Sequence, residues 1–236
     1  MMKSLKILGL LLAYPTDELK AHAGDLRAVL EDEALVPAKI RRRLDAFIGE
    51  IGRRNILNLQ EEYVRLFDRS RAHSFYLFEH VHGESRDRGQ AMVDLTDLYK
   101  RHGFTLAARE LPDYLPLFLE FLSVLPFEEA QELLGETAHI LAAIGAKLKA
   151  KKSGYAHVFA ALEALTGVEV DPRFVEQAVE EAKSEDTSLE ALDKQWEETP
   201  AFDGAGTPAA CGVCPQATHH LANTAPTGAD HQQSQQ

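Results

Sequence analysis

The 236-residue chain predicts an all-α fold on three observations. Apolar residues recur every three or four positions through most of residues 4–182, the period of helices with one buried face. No stretch alternates apolar and polar residues between hairpin turns, so strands are not expected. No segment repeats at a fixed period, which excludes a solenoid. Helix packing is then the only layer type, in a single compact domain of about nine helices followed by a disordered C-terminal tail.

Leu5, Leu8 and Leu12 share one face of a first helix that stops at Tyr14, because Pro15 disfavours helical geometry in the residue before it. Lys3 and Lys6 precede the apolar run from Ile7 to Ala13, a short imitation of a signal peptide. Tyr14-Pro15 stands where a small-residue cleavage site belongs, so an ordinary helix is expected. Thr16 or Asp17 caps a second helix bearing Leu19, Ala23, Leu26 and Leu30, and Pro37 opens a third with Ile40, Leu44, Phe47, Ile48 and Ile51 inward. Arg41, Arg42 and Arg43 fall off that stripe; a solvated face is preferred to an anion site. Asn55 caps a fourth helix carrying Ile56, Leu59, Tyr63, Leu66 and Phe67.

Asp68 to Ser74 breaks the pattern. Ser85 or Asp87 then starts a helix with Met92, Leu95 and Tyr99 inward and Gly103 at its end. Leu111 to Leu125 is apolar on most sides and should be the central, most buried helix, with Pro112 at its start and Pro116 in its first turn. Phe127 to Lys152 reads as one long amphipathic helix, acidic at its start and basic at its end. Two shorter helices, Tyr155 to Leu165 and Pro172 to Ala182, complete a domain over residues 1–183.

Residues 184–198 are a transitional acidic segment with the lone Trp196. Residues 199–236 hold only Phe202, Val213 and Leu221 as large apolar side chains, too little to offset the entropy of ordering, so a disordered tail is expected. Its Cys211 and Cys214, with His219 and His220 nearby, have metal or redox spacing but neither structural context; incidental thiols are the plainer reading. The absence of a disulfide framework fits a cytoplasmic protein. A formal charge of -12 argues against nucleic-acid binding and favours a basic or neutral partner. No apolar run reaches the ~18 residues of a membrane span.

Leu77 to Gly89 concentrates Glu79, His80, His82, Glu84, Arg86, Asp87 and Arg88 between two apolar segments. His80 and His82 share a face only in extended backbone, and a metal would need Glu79, Glu84 or a distant residue as a further ligand. Capping by Glu84 and Asp87, paired with Arg86 and Arg88, is the plainer reading. Glu110 and Asp113 either complement a helix dipole or form one wall of a groove for a basic amphipathic peptide. No phosphate loop, nucleophile elbow or nucleophile–base pair is legible.

Three segments resemble the delta subunits of respiratory nitrate reductase, within the TorD-like family of redox-enzyme chaperones. They are Tyr63-Val-Arg-Leu-Phe67, Leu77 to Met92 with its Phe-Glu-His-Val-His-Gly-Glu core, and Glu110-Leu-Pro-Asp-Tyr-Leu-Pro-Leu-Phe-Leu-Glu-Phe121. The resemblance implies a non-catalytic helical chaperone without a cofactor of its own. Its partner would be the N-terminal segment of the apo nitrate reductase α subunit. It would hold that subunit competent for molybdenum-cofactor and iron–sulfur insertion before membrane anchoring, alongside molybdenum-cofactor biosynthesis proteins, and leave the finished enzyme. Where the wider family carries a Glu-Pro-x-Asp-His motif, this chain reads Glu110, Leu111, Pro112, Asp113, Tyr114. That departure bears on the nucleotide-binding role proposed for the motif and less on peptide recognition.

The expected binding residues are Tyr63 and Phe67 as packing floor, Glu79, His80, His82, Glu84, Arg86 and Asp87 as an adaptable loop, and Glu110, Asp113 and Tyr114 as the acidic wall. The rivals are a metal-dependent enzyme using His80, His82 and a carboxylate, and a scaffold that does not discriminate an unfolded client.

Overall fold

A computed structural model describes residues 1–68, 71–82, 87–106 and 110–184, with the side chains of Arg71, His82 and residues 181–184 outside that description. Twelve α-helices and one 3-10 turn cover these residues. Nine of them answer to the nine helices expected, and the other three arise where the periodicity was interrupted or too short to recognise.

Helix α1 (Lys3–Leu12) has Leu5, Ile7, Leu8, Leu11 and Leu12 buried. Its first amide groups, on Lys3 and Ser4, donate to the Glu33 carboxylate at 2.9 and 2.5 Å, which serves as an N-cap supplied from far along the chain. The expected second helix is two, α2 (Asp17–Ala21) and α3 (Ala23–Glu33), hinged at His22 with φ -94 and ψ 9. Thr16 caps α2 by accepting the Leu19 N–H at 3.1 Å. Helix α4 (Ala38–Arg53) buries Leu44, Phe47, Ile48 and Ile51 and leaves Arg42 and Arg43 exposed. Asn55 caps α5 (Ile56–Phe67) through the Leu57 N–H at 2.8 Å.

A 3-10 turn (Arg71–His73) leads to α6 (Leu77–His82), the helix too short to show a period, and α7 (Asp87–Arg101) follows. Gly103, at φ +70, takes the left-handed conformation that ends α7. Helix α8 (Leu115–Val124) begins at Leu115, not at Pro112 as expected, and keeps Pro116 in its first turn. Residues 113–115 instead pair through their backbone with residues 75–77 at the entrance to α6.

The long helix expected from Phe127 is α9 (Phe127–Glu136) and α10 (Ala138–Ala150), separated by Thr137. The Thr137 hydroxyl donates to the Leu134 carbonyl at 2.7 Å, competing with the helical ladder at the break. Helices α11 (Ala156–Thr166) and α12 (Pro172–Ser184) close the described chain. Among the described residues the only non-helical pairing is an isolated antiparallel bridge between Tyr76 and Tyr114. No described helix is long and apolar enough to cross a membrane.

One core joins these helices, with Leu8, Leu12, Leu44, Ile48, Leu115, Leu119, Phe121 and Phe159 essentially inaccessible. Helix α8, expected to be the central and most buried helix, is heavily buried but packs mainly on α1 and α9, whereas α11 packs against α1, α4, α9 and α10. Gly9 makes the α1–α8 crossing possible: a Cβ built there would lie 3.0 Å from the Pro116 carbonyl oxygen and 3.4 Å from Leu119 Cβ. The expected tail and acidic segment, residues 185–236, lie outside the described residues.

Candidate functional site

The two segments richest in candidate residues are joined into one clip. The Leu77 N–H donates to the Asp113 carbonyl at 3.0 Å, and the Leu115 N–H donates to the Phe75 carbonyl at 2.8 Å. The Asp113 carboxylate accepts the Phe78 N–H at 3.0 Å, capping the first turn of α6 from 35 positions away. Tyr99 of α7 fastens the same segment, donating its hydroxyl to the Pro112 carbonyl at 2.6 Å. Tyr76 donates to the Glu110 carboxylate at 3.1 Å.

Asp113 is therefore placed differently from the rim position expected. It is fully buried, and its second carboxylate oxygen has no hydrogen-bond partner. Burial raises its pKa, while the Phe78 N–H and Arg88 pull it back. An acid so placed organises the backbone. It does not present a charge to a partner.

The rest of the expected loop supports the clip from the other side. Glu79 accepts from the Ser74 hydroxyl at 2.5 Å and from Arg88 at 3.3 Å. The His80 Nε2–H donates to the Ser74 carbonyl at 2.9 Å, so that nitrogen is committed to the backbone. Burial lowers the His80 pKa, against the opposing effect of that hydrogen bond, with Lys147 lowering it further. Among the described residues no group of three or more His, Cys, Asp or Glu could hold a metal ion. Asp87 is exposed in the first turn of α7. Glu84, Arg86 and the His82 side chain lie outside the described residues.

Tyr63 and Phe67 are buried in an aromatic cluster. Their centroids are 4.8 Å apart, and Phe67 lies 4.4 Å from Phe75 and 5.0 Å from Tyr155. The Tyr63 hydroxyl donates to the Leu12 carbonyl at 2.9 Å and is hydrogen-bonded to the Tyr114 hydroxyl. Burial raises the pKa of both phenols, so both are neutral at physiological pH. This cluster ties α1, α5 and the clip together beneath a surface groove.

The groove lies between α1 and α8, with a volume of about 200 Å³. Gly9, Leu10, Ala13, Pro116 and Leu117 make its apolar lining, while Glu110, Tyr114 and Glu120 supply polar groups. Lys6 is tied to Glu120 at 3.0 Å. Leu10 is 44% exposed and the neighbouring Leu111 45%, unusual for leucines in so apolar a region. Glu110 and Tyr114 were expected here; Leu10, Leu117 and Glu120 were not. The signal was in the sequence: Glu120 is the lone charge in the α8 run, and Pro116 and Leu117, four and three residues earlier, share its face.

The protein-family model described as nitrate reductase delta subunit matches residues 31–161, a stretch that contains both halves of the clip. The chain belongs to the nitrate reductase delta subunit family. Among curated relatives, the nitrate reductase molybdenum cofactor assembly chaperone NarJ of Escherichia coli K12 is 43% identical over 197 residues, covering 84% of this chain and 83% of NarJ. NarW of the same strain is also 43% identical, over 84% of this chain and 82% of NarW. The Bacillus subtilis NarJ is 31% identical over 64% of this chain and 81% of its own length. In this delta-subunit family member, then, the motif segments first noticed as a possible site build the frame, and the open groove lies against that frame.

Proposed function

We propose that this protein is an assembly chaperone for a nitrate reductase, binding the N-terminal segment of the apo α subunit as an amphipathic helix. The single observation that carries the reading is 43% identity over 84% of the chain to E. coli NarJ, a protein named for molybdenum cofactor assembly. In this reading the chaperone works in the cytoplasm. It holds its client competent for cofactor and iron–sulfur insertion, ahead of membrane anchoring, in the company of cofactor-biosynthesis proteins.

The α1–α8 groove supplies suitable chemistry. Its apolar floor takes two or three anchors of a helix spaced at i, i+3 and i+4, and Glu110 and Glu120 pair with basic residues beside them. Tyr114 contributes an amphipathic ring at the edge, and Tyr63 and Phe67 keep the floor rigid from below. Glu79, His80 and Asp113 act through the clip, setting where Glu110 and Tyr114 stand, while Asp87, exposed at the start of α7, is proposed as a direct contact. His82, at the end of α6, and Glu84 and Arg86, outside the described residues, remain proposed client contacts.

The test is calorimetric titration with a synthetic peptide of the α-subunit N-terminus, beside a scrambled control. Saturable binding to the true peptide is expected. Glu110→Lys and Glu120→Lys should each weaken it about five-fold, the scale of exposed ion pairs. Leu117→Asp, which puts a charge on the floor, should abolish it. Binding unaffected by all three changes would remove recognition from this groove.

A further inference from the structure

A second concavity shares no residue with the groove. Two adjoining hollows, of about 330 and about 280 Å³, lie between α4, α10 and α11, and Val175 of α12 closes the second. Both are lined by Arg43, Lys149, Ala156 and His157; Lys152 edges the first. The space exists because the facing side chains are small: Ala46, Ala142, Gly145, Ala146 and Ala160. Gly145 has no room for more, since a Cβ there would lie 2.7 Å from Glu163 Oε1 and 3.0 Å from Phe159 Cβ.

The charges around this hollow run against the composition. Acidic residues outnumber basic ones 37 to 25, so most cations have carboxylates to choose from. Yet among the described residues none of Arg43, Lys149 and Lys152 has a carboxylate within ion-pairing distance. Two acids also line the space. Glu50 reaches towards Arg54, at 3.4 Å, and Glu163 interacts with Lys149 through space without forming a pair. Three unpaired cations and a half-buried imidazole thus surround a recess with a small-residue floor.

We infer that this recess binds a compact polyanion, a small molecule carrying two or more adjacent phosphate or carboxylate groups. Arg43 offers a planar fork for two oxygens, and the lysines, on a different element, close on the ligand from the other side. His157 adds a ring N–H or an acceptor at the junction of the two hollows. The combined volume suits a small molecule, and the recessed alanine and glycine floor leaves depth that a flat protein surface would not fill.

The full chain, without any client peptide, is titrated calorimetrically with inorganic pyrophosphate, citrate and a decaglutamate peptide at about 50 mM salt, where screening is modest. Saturable binding of pyrophosphate, citrate or both is expected, with Kd below about 1 mM, and the two arms identify the anion chemistry. Arg43→Ala combined with Lys149→Ala should weaken it at least about ten-fold. Ala160→Leu, which fills the hollow and leaves every charge in place, should do the same. Circular dichroism checks that both variants stay helical, and His157 ring resonances should move on titration only in the unmodified chain. The inference is overturned if neither anion saturates, or if both variants bind like the parent. It is equally overturned if decaglutamate binds more tightly than either anion, which assigns the surface to an acidic protein. Because the client peptide is absent, these outcomes are independent of the groove.

Discussion

Replacing His73 with leucine should remove a large part of the protein's sensitivity to acid. The imidazole is 1% exposed, and neither ring nitrogen has a hydrogen-bond partner. Burial, reinforced by Lys151, Lys147 and His80, lowers its pKa from 6.5 to about 4. The unfolded chain takes up this proton near pH 6.5, while the folded chain refuses it until about pH 4. Between those values the unfolded state holds more protons, so stability falls as pH falls. The difference of about two and a half units, at about 1.4 kcal/mol per unit, amounts to roughly 3 kcal/mol across the window. Above pH 6.5 the group is neutral in both states, and leucine, similar in size and free of unpaired nitrogens, should cost little there. Urea denaturation followed at 222 nm, at about pH 7.5, 6 and 5, measures the effect. The variant should gain on the parent by about 2 kcal/mol between pH 6.5 and 5. Parallel pH profiles for the two proteins would refute the reasoning.

Three further outcomes follow from the clip and the helix crossing. Asp113→Ala should lose about 1–2 kcal/mol at pH 7, because it removes the acceptor of the part-buried Phe78 N–H, whereas Asp113→Asn keeps an acceptor and should stay within about 1 kcal/mol of the parent. The Asp113 pKa is raised in the fold above 3.8, so its contribution to stability diminishes as pH rises through that range; chemical denaturation should show the Asn variant lacking this slope. Tyr99→Phe deletes only the bond to the Pro112 carbonyl and should cost about 1 kcal/mol in the same assay, with weaker client-peptide binding because Glu110 and Tyr114 lose their anchor. Gly9→Val forces α1 away from Pro116 and should lower thermal stability by the equivalent of about 1–3 kcal/mol, read by calorimetry.

Helices with long, regular stripes were legible in the sequence. Leu44, Phe47, Ile48 and Ile51 in α4, and Leu59, Tyr63, Leu66 and Phe67 in α5, are buried as their spacing implies. The caps at Thr16 and Asn55 and the stop at Gly103 were legible too, because each is a local event between neighbours. The breaks at His22 and Thr137 were hidden, since the apolar stripe continues through them while the backbone does not. Helix α6 spans six residues, less than two turns, and no periodicity can announce it. The site was half legible for a similar reason. Sequence density marked Glu79, His80, Asp113 and Tyr114, but whether a polar residue faces out or caps a distant helix depends on partners 35 positions away. Leu10 and Glu120 meet only through the α1–α8 crossing, which Gly9 permits and no linear pattern reveals.

The clip also ties the opening of one helix to the opening of another. The amides of Leu77 and Phe78 donate to Asp113, and the amide of Leu115 donates to Phe75, so neither segment can swing free without releasing the other. In hydrogen exchange these three amides should behave as one cooperative unit, though the first turn of a short helix ordinarily exchanges fast. The entrance to the buried helix α8 is thus protected by a helix of six residues that could not persist alone. Any client that pulled on Glu110 or Tyr114 would be felt at α6, because their neighbour Asp113 supplies its cap.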